Sequence, residues 1–138
     1  MNNRLHNLSN PAQGSRKKVL CVCSAGLLRS PTAAWILSNE PFGFNTRAVG
    51  TSSDHALIPL DWAHVIWADD IVVMDKYQYA DVQDVLHLFY EHRRRGMEHI
   101  KVPNIFILDT PDTYEFRDPR LVDLMTLKLM NVFNISGV

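Results

Sequence analysis

Short runs of consecutive apolar residues alternate along the chain with longer segments in which apolar residues recur every three or four positions. A run of about four to eight apolar residues has the length of a strand buried on both faces, and the wider spacing is typical of an amphipathic helix. The pattern predicts four strands, at 17–22 (ending near Cys23), 46–49 (ending at Gly50), 71–74 and 104–108.

Four helices are predicted between and after these strands. Proline suits the first turn of a helix, and an aspartate directly before the proline suits the N-cap. Helical spacing of apolar residues is seen at Val82, Val85, Leu86 and Phe89. The predicted helices begin at Pro31, Pro59, Asp75 and Pro119, and they end before Glu40, at Trp67, at Arg95 and near Asn131. Arg93–Arg95 is interpreted as a solvated helix end, and Trp62 and Trp67 are expected in the core.

Strands that alternate with helices predict an α/β fold with a parallel sheet covered by helices on both faces. The loops that carry chemistry in such a fold gather at the carboxyl ends of the strands, near a switch in strand order. The 138 residues fit one domain, assigned to 17–138, and the Asn-rich, polar residues 1–16 are predicted to form a flexible tail.

Composition excludes several classes of protein. A formal charge of -1 argues against a grossly basic nucleic-acid binder, and the apolar runs are far shorter than the roughly 20 residues that span a bilayer. No secretory signal is recognisable and there are only two cysteines, so a cytoplasmic location is expected. Cys21-x-Cys23 lacks a second Cys or His pair at zinc spacing, so no metal is predicted.

The segment between the first strand and the first helix is the most informative part of the chain, because it places Cys23 six positions before Arg29. A loop at this place turns backbone N–H groups inward, and the helix N-terminus adds partial positive charge, which together bind an anion. Arg29 can hold two phosphate oxygens, and Gly26 permits backbone conformations that side chains disfavour. Both the helix and Arg29 are expected to depress the pKa of the Cys23 thiol, and Ser30 is placed to donate a hydrogen bond to the sulfur.

The two cysteines are interpreted differently. Cys21 lies inside the apolar run of the first strand and is expected to be a core residue, as unpaired cysteines commonly are. Cys23 comes at the end of that run, directly before the predicted anion-binding loop. We therefore predict Cys23 as the nucleophile. Ser30 is also compatible with a simple N-cap role.

These residues resemble the low-molecular-weight protein tyrosine phosphatase family, and in particular its short bacterial and phage predicted-phosphatase branch. The matching segments are 22–33 (Val-Cys-Ser-x-x-x-x-Arg-Ser-Pro-Thr-Ala), Gly50-Thr51, 67–75 and 108–119. The resemblance implies a three-layer, flavodoxin-like fold with a four-stranded parallel sheet, a phosphocysteine intermediate, and neither metal nor cofactor. It also implies a phosphate-binding loop made of Ser24, Ala25, Gly26, Leu27, Leu28, Arg29 and Ser30.

The resemblance further implies an aspartate that protonates the leaving group, for which Asp109, Asp112 and Asp118 compete. Asp118-Pro119 is explained by helix capping alone. Counting nine residues back from Leu121, where the family places its acid, reaches Asp112, and Asp109 stays in reserve. Tyr114 is the candidate for a wall of the substrate slot.

The function predicted from the sequence is hydrolysis of phosphotyrosine or other aryl phosphates. The expected partner is a phosphotyrosine-containing protein or a small aryl phosphate, with no nucleic acid and no membrane. Two alternatives stay open. One is an arsenate reductase of the same fold, which would need an external thiol, and the other is a module that binds phosphate or a phosphopeptide without turnover.

Overall fold

The structure is a computed structural model, and it describes residues 16–24, 29–51, 58–92, 102–110 and 118–134. The strands in this part of the chain are β1 (Lys18–Cys23), β2 (Asn45–Gly50), β3 (Asp70–Val73) and β4 (Asn104–Ile107). The helices are α1 (Arg29–Ser38), α2 (Trp62–Trp67), α3 (Lys76–His92) and α4 (Pro119–Val132).

The four strands form one parallel sheet in the order β2-β1-β3-β4, which confirms the predicted α/β class. β1 lies between β2 and β3, so the strand order reverses beside it, and its carboxyl end is the place where ligands bind in open α/β sheets. The register puts Cys23, the last residue of β1, opposite Gly50. The predicted nucleophile therefore lies at the switch point.

Each face of the sheet is covered by helices, as the apolar run of β1 predicts. Val19, Cys21 and Cys23 belong to a core cluster shared with α1 and α4, whereas Leu20 and Val22 belong to a second cluster that includes residues of α2 and α3. All five side chains are buried. Alternate residues of one strand thus bind the two helical layers together, which fixes the position of the strand end that carries Cys23.

The second helix begins later than the sequence predicts. Pro59 does not begin this helix, because its backbone forms a parallel β-bridge with Gly50. The N–H of Gly50 donates to Ile58 O (3.0 Å), and the carbonyl oxygen of Gly50 accepts from Leu60 N (2.9 Å). The helix begins at Trp62 after the N-cap Asp61, whose side chain accepts from the backbone N–H of His64. A proline in extended backbone and a proline at a helix start have the same local signature, and the pairing with β2 decides between them.

Other differences are small, with one exception. α1 begins at Arg29, two residues before Pro31, and β3 runs one residue earlier than predicted, at Asp70–Val73. The exception is Trp62, which is 55% exposed and is not a core residue. Trp67 is partly buried against the second cluster, as expected. The predicted helix end at Arg93–Arg95 lies outside the described residues.

None of the helices in the described ranges combines the length and the apolar character needed to cross a membrane.

Leu129→Ala in α4 should lower the free energy of unfolding by about 2–5 kcal/mol, because the side chain is fully buried in the cluster that also contains Cys23 and a cavity would replace it. Leu127→Ala is the matched control. It lies two residues away on the same helix, is 70% exposed, and should change stability by less than about 0.5 kcal/mol. Urea unfolding of both variants measures the difference, and equal losses would contradict the described packing.

Candidate active site

The Cys23 thiol lies at the junction of β1 and the segment that precedes α1, and it is 3% exposed. Its Sγ is 3.1 Å from Ser30 Oγ, which is itself 3.3 Å from the carbonyl oxygen of Val49 in β2. The single hydroxyl hydrogen of Ser30 can be donated to either atom. A thiolate is the stronger acceptor because it is charged, so Ser30 is placed to stabilise an ionised Cys23.

Arg29 is the first residue of α1 and is only 5% exposed, although it carries a charge. Its Nη1 donates to Asp75 Oδ2 (3.2 Å) and to the carbonyl oxygen of Thr110 (3.0 Å). Asp75 follows β3 and Thr110 follows β4, so this one nitrogen joins the carboxyl ends of two strands to the start of α1. A buried guanidinium needs such partners, because an uncompensated buried charge is strongly destabilising.

Asp75 caps the start of α3 and faces the candidate site. Its Oδ1 accepts from the backbone N–H of Tyr77 (2.9 Å), and its Oδ2 accepts from Gln78 Nε2 (3.2 Å) as well as from Arg29. Partial burial works against ionisation of this carboxyl, but the hydrogen bonds from Tyr77, Gln78 and Arg29 outweigh it and hold its pKa below the ordinary value. A carboxyl with a lowered pKa suits a partner of Arg29 and not a proton donor.

Gln78 completes this arrangement from the first turn of α3. Its Oε1 accepts from the backbone N–H of Asp75 (2.7 Å), and its Nε2 donates to Ser24 Oγ (3.0 Å). Ser24 directly follows Cys23, so Gln78 connects the helix start to the residue after the predicted nucleophile. Sequence reasoning missed Asp75, Gln78 and Thr110 as parts of the site. The Asp-x-x-Gln spacing of a capping box was the available signal for the first two.

Cys21 is a core residue, as its place in the apolar run of β1 predicts. Cys21 is completely buried within β1, and burial, reinforced by the neighbouring Cys23, raises the pKa of its thiol well above the ordinary value. It is therefore a neutral core residue at physiological pH.

In the described residues, no group of three or more His, Cys, Asp or Glu side chains is arranged to hold a metal ion.

Asp109 is the one of the two candidate proton donors, Asp109 and Asp112, that lies within the described residues. Asp109 is exposed and adopts a left-handed backbone conformation (φ 58°). Lys128 Nζ in α4 donates to the carbonyl oxygens of Asp109 (2.5 Å) and Leu108 (3.1 Å). Asp112 and the substrate-wall candidate Tyr114 lie outside the described residues, as do Ala25, Gly26, Leu27 and Leu28 of the predicted loop. Their roles stay predictions.

Asp118 is the N-cap of α4, which agrees with the capping interpretation of Asp118-Pro119. Its side chain accepts from the backbone N–H of Arg120 (2.9 Å) and pairs with the Arg120 guanidinium (2.9 Å). The hydrogen bonds from the Arg120 side chain and backbone lower the pKa of this carboxyl. A carboxyl held in its ionised form is poorly suited to protonate a leaving group.

Solved structures with the same fold are known, although neither a family model nor a curated protein sequence matches the chain. Wzb of Vibrio vulnificus, solved in complex with benzylphosphonate, superposes with a TM-score of 0.63 at 13% identity over 87% of this chain and 99% of that chain. The tyrosine phosphatase Wzb of Escherichia coli K30, in complex with phosphate, gives 0.61 at 15% identity over 88% and 99%. A low-molecular-weight phosphotyrosine phosphatase of Vibrio cholerae gives 0.53 at 17% identity over 88% and 99%.

This chain therefore has the fold of the low-molecular-weight protein tyrosine phosphatases, with a four-stranded parallel sheet flanked by helices. The fold implied by the sequence resemblance is confirmed. At identities of 13–17% the likeness establishes the fold and leaves the activity to be argued from this chain's own residues.

Proposed function

We propose that this protein is a cysteine-dependent phosphomonoester hydrolase that acts on phosphotyrosine or other aryl phosphates. The observation that carries the proposal is the 3.1 Å approach of Ser30 Oγ to Cys23 Sγ beside the buried Arg29, at the switch point of the sheet. A nucleophile, a hydrogen-bond donor to its sulfur and a fixed cation are the groups that attack on a phosphate ester requires.

In the first step of the proposed reaction, the Cys23 thiolate attacks phosphorus, and the bond between phosphorus and the aryl oxygen breaks. Asp112 gives its proton to the departing oxygen, with Asp109 in reserve for this role. Arg29 and the backbone amides of residues 24–30 hold the phosphoryl oxygens. The products are the phenol and a phosphocysteine.

In the second step, water attacks the phosphocysteine and gives a proton to the ionised aspartate. The bond between sulfur and phosphorus breaks, phosphate leaves, and the thiolate is restored. The hydrogen bond that Ser30 is placed to give stabilises the departing sulfur. Tyr114 is proposed to line the slot for the aromatic ring. The benzylphosphonate in the Vibrio vulnificus neighbour, an aromatic group next to a phosphonate, supports an aryl substrate here.

The arsenate reductase alternative is less well supported. That chemistry needs a second thiol to resolve an arsenylated cysteine, and the second cysteine of this chain, Cys21, is completely buried and has a raised thiol pKa. A neutral, inaccessible thiol does not attack. The reductase would therefore depend on a thiol from another molecule.

Purified protein should hydrolyse 4-nitrophenyl phosphate, with phosphate and vanadate as competitive inhibitors. A thiolate and a protonated carboxylic acid are needed together, so kcat/KM should follow a bell-shaped pH profile with its optimum on the acidic side of neutrality. A chelator should change nothing, because a thiolate mechanism uses no metal. Phosphate binding without turnover would favour the binding module, and a rate that depends on added divalent metal would contradict the cysteine mechanism.

A further inference from the structure

Gln78 is a polar residue at a position that the helix pattern assigns to the core. It lies one turn before Val82 and two turns before Leu86, which are both buried against the sheet, and it is itself only 1% exposed. Burying an amide costs free energy unless its donors and acceptor are hydrogen-bonded. An apolar side chain would satisfy the packing alone, so the amide points to a role in the contacts that it makes.

The amide of Gln78 holds two different groups at the candidate site. Through Oε1 it accepts from the backbone N–H of Asp75, and through Nε2 it donates to both Asp75 Oδ2 (3.2 Å) and Ser24 Oγ (3.0 Å). The first contact is the reciprocal half of a capping box and stabilises the helix. The contact of Nε2 with Ser24 reaches beyond the helix end and serves no capping purpose.

The contact with Asp75 extends to Arg29. Asp75 Oδ2 accepts from Gln78 and Arg29 together, so the rotamer of the carboxylate is fixed from one side by the amide and from the other by the guanidinium. Nη1 of Arg29 donates to Asp75 Oδ2 and to the Thr110 carbonyl oxygen. The direction of the guanidinium therefore depends on where Asp75 is held, and this direction decides how its N–H groups can meet a phosphate.

We infer that Gln78 is a positioning residue for oxyanion binding: it orients Arg29 through Asp75 and holds Ser24 directly. Its hydrogen bonds go to Asp75 and Ser24, so its effect on the anion passes through these two residues. The inference rests on the proposed function, because the anion it concerns is the phosphoryl group of the substrate. It predicts that the amide donor, and not only the helix cap, is needed for anion affinity.

Gln78→Glu separates the two roles of the side chain. Glutamate is a normal capping-box residue at this position, so the acceptor for the Asp75 N–H is retained. In place of the Nε2 donor the variant has a carboxylate oxygen, which faces Asp75 Oδ2 and repels it. Asp75 is then no longer held in place, and the guanidinium of Arg29 loses its fixed direction. Gln78→Ala is the second variant, and it removes the donor without adding a charge.

His64→Ala is the matched control, since His64 occupies the same place in the capping box of α2. Its Nδ1 accepts from the backbone N–H of Asp61, and its own backbone N–H donates to the Asp61 side chain. Thermal unfolding of all three variants measures the cost of each cap. Hydrolysis of 4-nitrophenyl phosphate measures kcat and KM, and protection of Cys23 from iodoacetate by inorganic phosphate measures anion affinity.

We expect both Gln78 variants to lose phosphate affinity and kcat/KM by about ten- to a hundredfold, because a misdirected guanidinium binds the anion and the transition state less well. His64→Ala should stay within twofold of the wild type on both measures. The inference is overturned if Gln78→Glu keeps phosphate affinity within twofold, or if His64→Ala loses as much affinity as Gln78→Ala.

Two results with the wild-type protein separate the proposed hydrolysis from the proposed role of Gln78. A wild-type protein that binds phosphate and does not hydrolyse the ester contradicts the proposed function, and the phosphate affinities of the variants then decide the role of Gln78. A wild-type protein in which phosphate gives Cys23 no protection overturns both.

Discussion

Cys23→Ser should abolish aryl phosphate hydrolysis, with a loss of about 10⁴-fold or more, while phosphate binding is retained. A serine hydroxyl at this position is not ionised near neutral pH and is a weak nucleophile without an adjacent base. Arg29 and its partners Asp75 and Thr110 are unchanged by the substitution, so the anion still binds. Initial rates with 4-nitrophenyl phosphate and calorimetric titration with phosphate measure the two effects.

Cys21→Ser is the matched control, because it makes the same change two residues earlier in β1. Cys21 is a buried residue of the core, so this variant should lose some stability and keep most of its activity when assayed well below its melting temperature. Equal losses of activity in the two variants, or activity retained by Cys23→Ser, would contradict the assignment of the nucleophile.

Asp112→Asn should reduce hydrolysis of phenyl phosphate by about 10²- to 10⁴-fold and hydrolysis of 4-nitrophenyl phosphate much less. Phenolate is a poor leaving group and needs the proton of a general acid, whereas nitrophenolate departs without one. The ratio of kcat/KM for the two substrates therefore isolates proton donation from effects on binding or folding.

Asp118→Asn and Asp109→Asn complete this comparison. Asp118 caps α4 and pairs with Arg120, so its replacement should lower stability and leave the ratio unchanged. Asp109 is exposed beside the turn that Lys128 holds, at the carboxyl edge of the sheet. A leaving-group-dependent loss in Asp109→Asn but not in Asp112→Asn would move the general acid to the end of β4.

The strands and the parallel sheet could be predicted from the sequence because their signals are local and strong. The apolar run before Cys23 has the length of a strand covered on both faces, and the structure buries every residue from Val19 to Cys23. Asp118-Pro119 was equally informative, since a cap and a first-turn proline reinforce each other. In both cases neighbouring residues determine the outcome.

The parts that could not be predicted depend on contacts between distant segments. Pro59 has a normal helix-start signature, and only its pairing with Gly50 keeps it in extended backbone. The buried amide of Gln78 donates to Ser24, which lies 54 positions away, and the Thr110 carbonyl oxygen accepts from Arg29 across 81 positions. Hydrophobic periodicity carries no information about such polar contacts, because it registers only which residues prefer to avoid water.

The hydrogen bonds at Gly50 also affect how the protein can diversify. Two backbone hydrogen bonds, from Gly50 N–H to Ile58 O and from Leu60 N–H to Gly50 O, fix the chain on both sides of residues 52–57. In addition, Thr51 N–H donates to the Cys23 carbonyl oxygen (2.9 Å). With its two ends held by main-chain atoms, this segment can change in sequence or length at a low closure cost, about 0.6 kcal/mol for each doubling of length. Insertions and substitutions can accumulate there while the strand end that carries Cys23 stays in place, so related proteins can differ in this connection and keep the same strand end.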